Sequence, residues 1–190
     1  MARLADFVIA KRKLLLPLTS AVIIAATVFI PKNELNDDFV KYFDTTVPYR
    51  VATDFMQENL SGMTLMEVSV DTGISSGINN PEYLHRLAQF SDWLRAQPET
   101  DHVNTITDTL KRLNKNMHGD DPSWYKLPTD QEMAAQYLLL YEMSLPYGLD
   151  LNNQLNVDKS SAKIVATFEN LTSNQMIELE QRINAWFAEN

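Results

Sequence analysis

The hydrophobic pattern divides the chain into two unequal parts. From Leu14 to Ile30 (LLLPLTSAVIIAATVFI) there is no charged residue, with Lys11-Arg12-Lys13 directly before and Pro31-Lys32 directly after. From residue 33 onward, apolar residues recur at helical or strand spacing among acids and amides. The first part is apolar all round, as a helix in hydrocarbon must be to keep every backbone group satisfied. At about 1.5 Å per residue it spans roughly 26 Å, close to a bilayer core once flanking side chains snorkel. Pro17 is expected in its first turn, where a missing N–H costs little. A cleaved leader is the rival, but the run exceeds a usual leader core and no small-residue cleavage site follows Ile30. Residues 1–13 read as a cytoplasmic or interfacial lead.

The second part reads as mixed α and β. Residues 31–62 form a connector, its aromatics docked on the domain or at lipid headgroups, and then a helix over Pro48 to Leu60. That helix carries a stripe of Val51, Ala52, Phe55, Met56 and Leu60. Met63 to Asp71 alternates as a strand, with Thr64, Met66, Val68 and Val70 on one face. Asn80-Pro81 opens a helix on Leu84, Leu87, Ala88, Ser91 and Leu94, with Phe90 and Trp93 beside them. His102 to Thr107 is expected as a second strand, and Asp108 to Pro128 as an irregular stretch. Thr129 to Glu132 reads as a capping box opening a helix over Met133, Tyr137, Leu138, Tyr141 and Leu145. A hairpin is expected from Gln154–Asp158 and Ala162–Phe168. Thr172 and Gln175 form a second capping box, before a helix on Met176, Leu179, Ile183 and Phe187.

The predicted class is therefore α+β. One transmembrane helix (14–30) precedes a ferredoxin-like split βαβ unit in 63–190, with a helical insertion and without its last strand. A sheet short of that strand has an open edge, so the expectation is a fragment of a longer protein.

Charge sets the orientation. Five of the 16 Lys and Arg lie before residue 33, against one of the 25 acids; the remainder holds 11 basic and 24 acidic residues, a balance near −13. Positive charge stays in the cytoplasm, so residues after about 31 are expected outside it, in the periplasm if the envelope is Gram-negative. A domain this acidic is not built for nucleic acid. There is no cysteine, so the domain relies on its core rather than on disulfides.

Candidate chemistry is sparse. His118, Asp120 and Asp121 lack a third ligand at metal-binding spacing and read as a solvated turn. Asp37, Asp38 and Asp44 lack the Gly and closing Glu of a calcium loop. Trp124, Tyr125, Tyr137 and Tyr141 read as ordinary core rather than a groove lining. No nucleophile motif or Gly-rich phosphate loop occurs. The expectation is a non-enzyme with no catalytic, metal or cofactor residues and no cofactor.

The connector NELNDDFVKYFD, followed by RLNKNMHGDDPSWYKLP and QYLLLYEMSLPYGLDLNN, resembles the resistance–nodulation–division (RND) superfamily. Within it the likeness is to predicted exporters related to MMPL and sterol-sensing-domain proteins. It covers nearly the whole chain, and Lys111 to Asn153 is its most specific stretch. The resemblance implies the lead helix and porter loop of one half, read as the second, of a proton-driven exporter of hydrophobic or amphipathic molecules. It implies the lipid bilayer, the remaining membrane helices, the second porter loop and the substrate as partners, in the inner or plasma membrane. Coupling carboxylates are implied in later helices, since none lies within 14–30. The alternative is a single-pass extracytoplasmic sensor or ligand-binding domain.

Overall fold

The computed structural model describes residues 2–30, 39–146 and 148–190. These form two units, residues 1–37 and 38–190. The first holds α1 (Ala2–Phe29), 28 residues long, which contains one stretch, Phe7–Phe29, long and apolar enough to cross a membrane. None of that stretch is buried against protein. Thr19 and Thr27 donate their hydroxyls to the Leu15 and Ile23 carbonyls at 2.8 and 2.9 Å, so both threonine hydroxyls are satisfied within the helix. Because α1 begins at Ala2, Pro17 sits in the helix interior rather than in a first turn. Its ring removes the amide that would bond the Lys13 carbonyl. The residues expected to close the span, Pro31 and Lys32, lie outside the described residues, as do Asn33 to Asp38 of the connector.

The second unit begins with a 3-10 turn at Phe39–Tyr42 and continues into α2 (Pro48–Asn59), which opens with Pro at its first position. Arg50 pairs with Asp54 at 2.7 Å and donates to the Val40 carbonyl at 3.3 Å, tying α2 to that turn. The stripe of Val51, Phe55, Met56 and Leu60 does not face a core: all four are exposed, and Thr53 is the residue that α2 buries.

Three strands follow: β1 (Thr64–Asp71), β2 (Thr100–Asn104) and β3 (Ser161–Phe168). Their order across the sheet is β1-β3-β2, and β3 is antiparallel to both neighbours. Thr64 pairs with Phe168 and Asp71 with Ser161, which places Met66, Val68 and Val70 on one half-buried face. On β3, Ala162, Ile164, Ala166 and Phe168 are buried. The covering layer comes from α3 (Pro81–Arg95) and α6 (Ser173–Glu189), whose Leu87, Phe90, Leu94, Leu179 and Ile183 join the same core. The caps are those the sequence specifies: Asn80 Oδ1 accepts the Glu82 N–H at 2.8 Å, and the Gln175 side chain accepts the Thr172 N–H at 2.9 Å.

The largest departures fall between β2 and β3. The second strand starts at Thr100 and stops at Asn104, not Thr107, because Thr105 caps a helix, α4 (Ile106–Met117), where an irregular stretch was expected. Ile106, Thr107, Leu110 and Asn114 form its buried stripe. The next helix, α5 (Gln131–Ser144), is capped by Asp130 rather than Thr129: the Asp130 carboxylate accepts the Glu132 and Met133 N–H groups, both at 3.3 Å. A second core, Leu84, Ala88, Leu110, Leu127 and Ala134, joins α3 to this insertion. The expected hairpin also changes. Gln154–Asp158 is not a strand, and only Leu155 bridges to Ala162. The strand β3 takes β1 as a full-length partner and β2 along its second half, while Gln154 and Asn156 bond only its first residues, Lys163 N–H to the Gln154 carbonyl at 2.7 Å and Asn156 N–H to the Ser161 carbonyl at 3.3 Å.

Candidate functional site

The domain's best-defined cleft, about 360 Å³, opens where the end of β1 meets the first half of α3 and the last turn of α6. Its floor is aromatic. Phe90, buried on α3, lies 4.5 Å from Phe187, 5.0 Å from Trp186 and 5.9 Å from Trp93 between ring centroids. Both α6 rings reach this point because that helix lays Leu179 and Ile183 on the core one and two turns earlier.

Tyr83 forms one wall and donates its hydroxyl to the Val70 carbonyl at 2.9 Å. Burial pushes that hydroxyl up to about 12, with the Asp71 carboxylate adding to the effect, so Tyr83 is a neutral donor throughout the physiological range. Thr72 braces the adjoining turn, donating to the Ser160 carbonyl at 2.8 Å. Gly77 packs so closely on Thr72 that a Cβ there would meet its Oγ1 at 2.2 Å.

The rim is charged. Asp71, Glu82 and Arg86 line the opening together with Asn80. Asp71 accepts the Gly73 N–H at 2.9 Å. Glu82 and Arg86 stand four apart on α3, yet Arg86 donates to the Asn190 carbonyl instead of pairing with Glu82. An aromatic floor beneath a rim of both signs suits a molecule with an apolar body and a polar end.

The residues weighed from sequence lie elsewhere. The His118 ring stacks on Trp124 at 3.6 Å between centroids and 6° between planes, and the Lys126 ammonium lies 4.2 Å from the Trp124 centroid. His118 Nδ1 lies 2.7 Å from the Asn114 carbonyl, and Asp121 caps the following 3-10 turn by accepting the Ser123 N–H at 2.9 Å. That bond, with the Ser123 hydroxyl and the nearby His118, holds the Asp121 carboxyl below its ordinary value. Trp124 and Tyr125 are exposed rather than core, whereas Tyr137 and Tyr141 pack partly buried against the two cores. Asp44 accepts hydrogen bonds from Thr46, which lower its pKa; Asp37 and Asp38 lie outside the described residues. Among the described residues no three His, Asp or Glu side chains are grouped to hold a metal ion.

Two other depressions are less suited to a ligand. One, about 220 Å³, is bordered by the Glu142–Lys159 ion pair at 2.7 Å. The other is a shallow groove of about 400 Å³ along the outer edge of β1, between Met66, Val68 and Met176, Ile177 of α6. Sequence reasoning assigned no residue to the aromatic cleft. The available signal was the spacing of Glu82, Arg86 and Phe90, which places two opposite charges and an aromatic on one helical stripe.

No family model, curated protein or solved structure matches the chain.

Proposed function

We propose that this chain is the membrane anchor and porter domain of a proton-driven RND-type exporter of hydrophobic or amphipathic molecules. The observation that carries the reading is the order of the sheet. Strands β1 and β2 are parallel to each other through the α3 crossover, β3 lies between them antiparallel to both, and α6 follows β3. That order supports reading the domain as a split βαβ unit, in which a further strand would lie on the outer edge of β1. The ferredoxin-like porter fold is thus read from 63–190, with α4 and α5 as its insertion. In this reading the apolar helix α1 is the anchor, and the charge asymmetry around it supports a domain outside the cytoplasm.

In this reading the chain performs no catalytic step. Its bilayer, a second porter loop and further membrane helices are partners, and the coupling carboxylates belong to those helices. A second reading, a single-pass extracytoplasmic sensor or binding domain, is favoured by the aromatic cleft, whose lining residues all belong to the one domain.

Efflux separates the two. Cells carrying and lacking the gene are loaded with a fluorescent amphiphile, and its retention is followed with and without a protonophore. The exporter reading predicts faster loss from gene-positive cells, abolished by the protonophore. Equal retention in both strains contradicts it and favours the sensor.

A further inference from the structure

The aromatic cleft carries enough chemistry to define its ligand. We infer that it binds a zwitterionic amphiphile: an alkyl tail ending in a phosphate next to an ammonium group, with the phosphate on Arg86 and the ammonium between Glu82 and Asp71. For its biological role the inference rests on the amphiphile-export reading; the binding itself is measured without transport.

Three observations lead there. First, Glu82 and Arg86 occupy the spacing at which opposite charges on a helix ordinarily close on each other, yet they do not pair. Both line the cleft, so both charges are presented to whatever enters it. Second, among the described residues the Arg86 guanidinium donates to the Asn190 carbonyl through one of its terminal nitrogens. Its planar fork offers several further donors, a geometry that matches phosphate oxygens two at a time. Third, the Trp186 and Phe187 rings border the same opening. Aromatic faces attract an alkylated ammonium, and the two carboxylates add charge to that attraction.

The mixed rim argues against simpler ligands. A plain anion meets two carboxylates for one guanidinium, and a plain cation meets the guanidinium. A neutral amphiphile leaves all three charges without a counterpart. A volume of about 360 Å³ admits a phosphocholine-sized head and the first carbons of a tail.

The test uses the full chain in maltoside micelles and reads indole N–H signals by NMR. The chain has 3 Trp: Trp93 and Trp186 belong to the cleft's aromatic cluster, and Trp124 stacks on His118 in the insertion and serves as an internal control. Four soluble probes are titrated: hexylphosphocholine, hexyl phosphate, hexyltrimethylammonium and hexyl glucoside. Hexylphosphocholine is expected to shift the Trp186 signal saturably, leave Trp124 unmoved, and bind about tenfold tighter than hexyl glucoside, the size of one charge-assisted hydrogen bond. Arg86→Gln is expected to abolish the preference over hexyltrimethylammonium, and Glu82→Gln the preference over hexyl phosphate. Both side chains are exposed, so an unmoved Trp124 signal verifies that the variants keep the fold. Equal affinity for all four probes, or no change on Arg86→Gln, overturns the inference and leaves the export reading untouched. Selective binding by a protein whose deletion does not alter efflux would refute export and keep the site.

Discussion

Tyr137 donates its phenolic hydrogen to Asn114 Oδ1 at 3.1 Å, and so ties α5 to α4. The same amide donates through Nδ2 to the Lys126 carbonyl at 2.9 Å, which holds the loop leading into α5. Asn114 is 2% exposed and makes both bonds from a position where helical periodicity calls for an apolar residue. One buried amide therefore fixes three segments of the insertion.

Asn114→Ala strands the Lys126 carbonyl and the Tyr137 hydroxyl. The expected loss is about 2 kcal/mol. For a domain of this size that is a fall of roughly 4–8 °C in melting temperature. Tyr137→Phe removes one of the two bonds and should cost about half as much. The double variant should fall short of additivity, because the two changes share a bond. Thermal unfolding of the three variants by circular dichroism checks this.

Gly62 makes a different kind of demand. A Cβ there would stand 1.9 Å from the Phe168 carbonyl oxygen, and its N–H donates to Asp101 at 2.6 Å. Backbone, not a flexible side chain, is in the way, so Gly62→Ala must push the start of β1 off the end of β3. A loss of about 2–3 kcal/mol is expected. Gly73→Ala is the contrast: its φ of +74° disfavours any side chain, but the space is open, and about 1 kcal/mol is expected. Urea titration should rank Gly62→Ala below Gly73→Ala; the reverse order would mean that the Gly62 contact is relieved cheaply.

Tyr83 links the cleft to alkaline stability. Its pKa is raised to about 12 by burial, above the ordinary value of 10.0. A raised acid favours the neutral form in the folded state, so its contribution is fully present below about pH 10. It is lost as pH rises toward 12, where the unfolded chain has already released the proton. Among the 7 Tyr, spectrophotometric titration should find a late ionisation that Tyr83→Phe removes. The variant should also flatten the fall in stability over pH 10–12. An unchanged late ionisation would show that it belongs to another tyrosine.

Within α1, Ile23→Asp places an acid in the middle of the apolar stretch. Translocon scales put its cost at roughly 2.5–3.5 kcal/mol. The protein should shift from the membrane pellet to the soluble or degraded fraction. Undisturbed membrane fractionation would mean that this stretch is not a span.

Much of the fold was legible because its elements carry clean periods and explicit caps. The alternation in β1, the Asn80-Pro81 start of α3 and the Thr172/Gln175 box of α6 all appear where the sequence places them. The helix α4 was not legible because a buried polar residue, Asn114, interrupts its apolar stripe, and because its cap, Thr105, reads equally well as a strand residue. The stripe on α2 was visible, but the sequence does not say what a stripe faces, and here it faces outward. The first hairpin arm shortened to a bridge for a tertiary reason: β3 pairs along its whole length with β1, far away in sequence, and its neighbour meets only its first residues. The cleft was invisible for the same reason, since it brings residues 71, 86 and 186 together.

The absence of cysteine makes the membrane topology directly measurable. Val157 is 93% exposed, so Val157→Cys presents a thiol on the domain surface; Ala10→Cys places one just before the basic triplet Lys11-Arg12-Lys13. Intact spheroplasts are treated with a membrane-impermeant maleimide, then permeabilised and treated again. An anchored domain outside the cytoplasm requires Val157→Cys to label before permeabilisation and Ala10→Cys only after it. Labelling of Val157→Cys only after permeabilisation would contradict both the orientation and the exporter reading built on it.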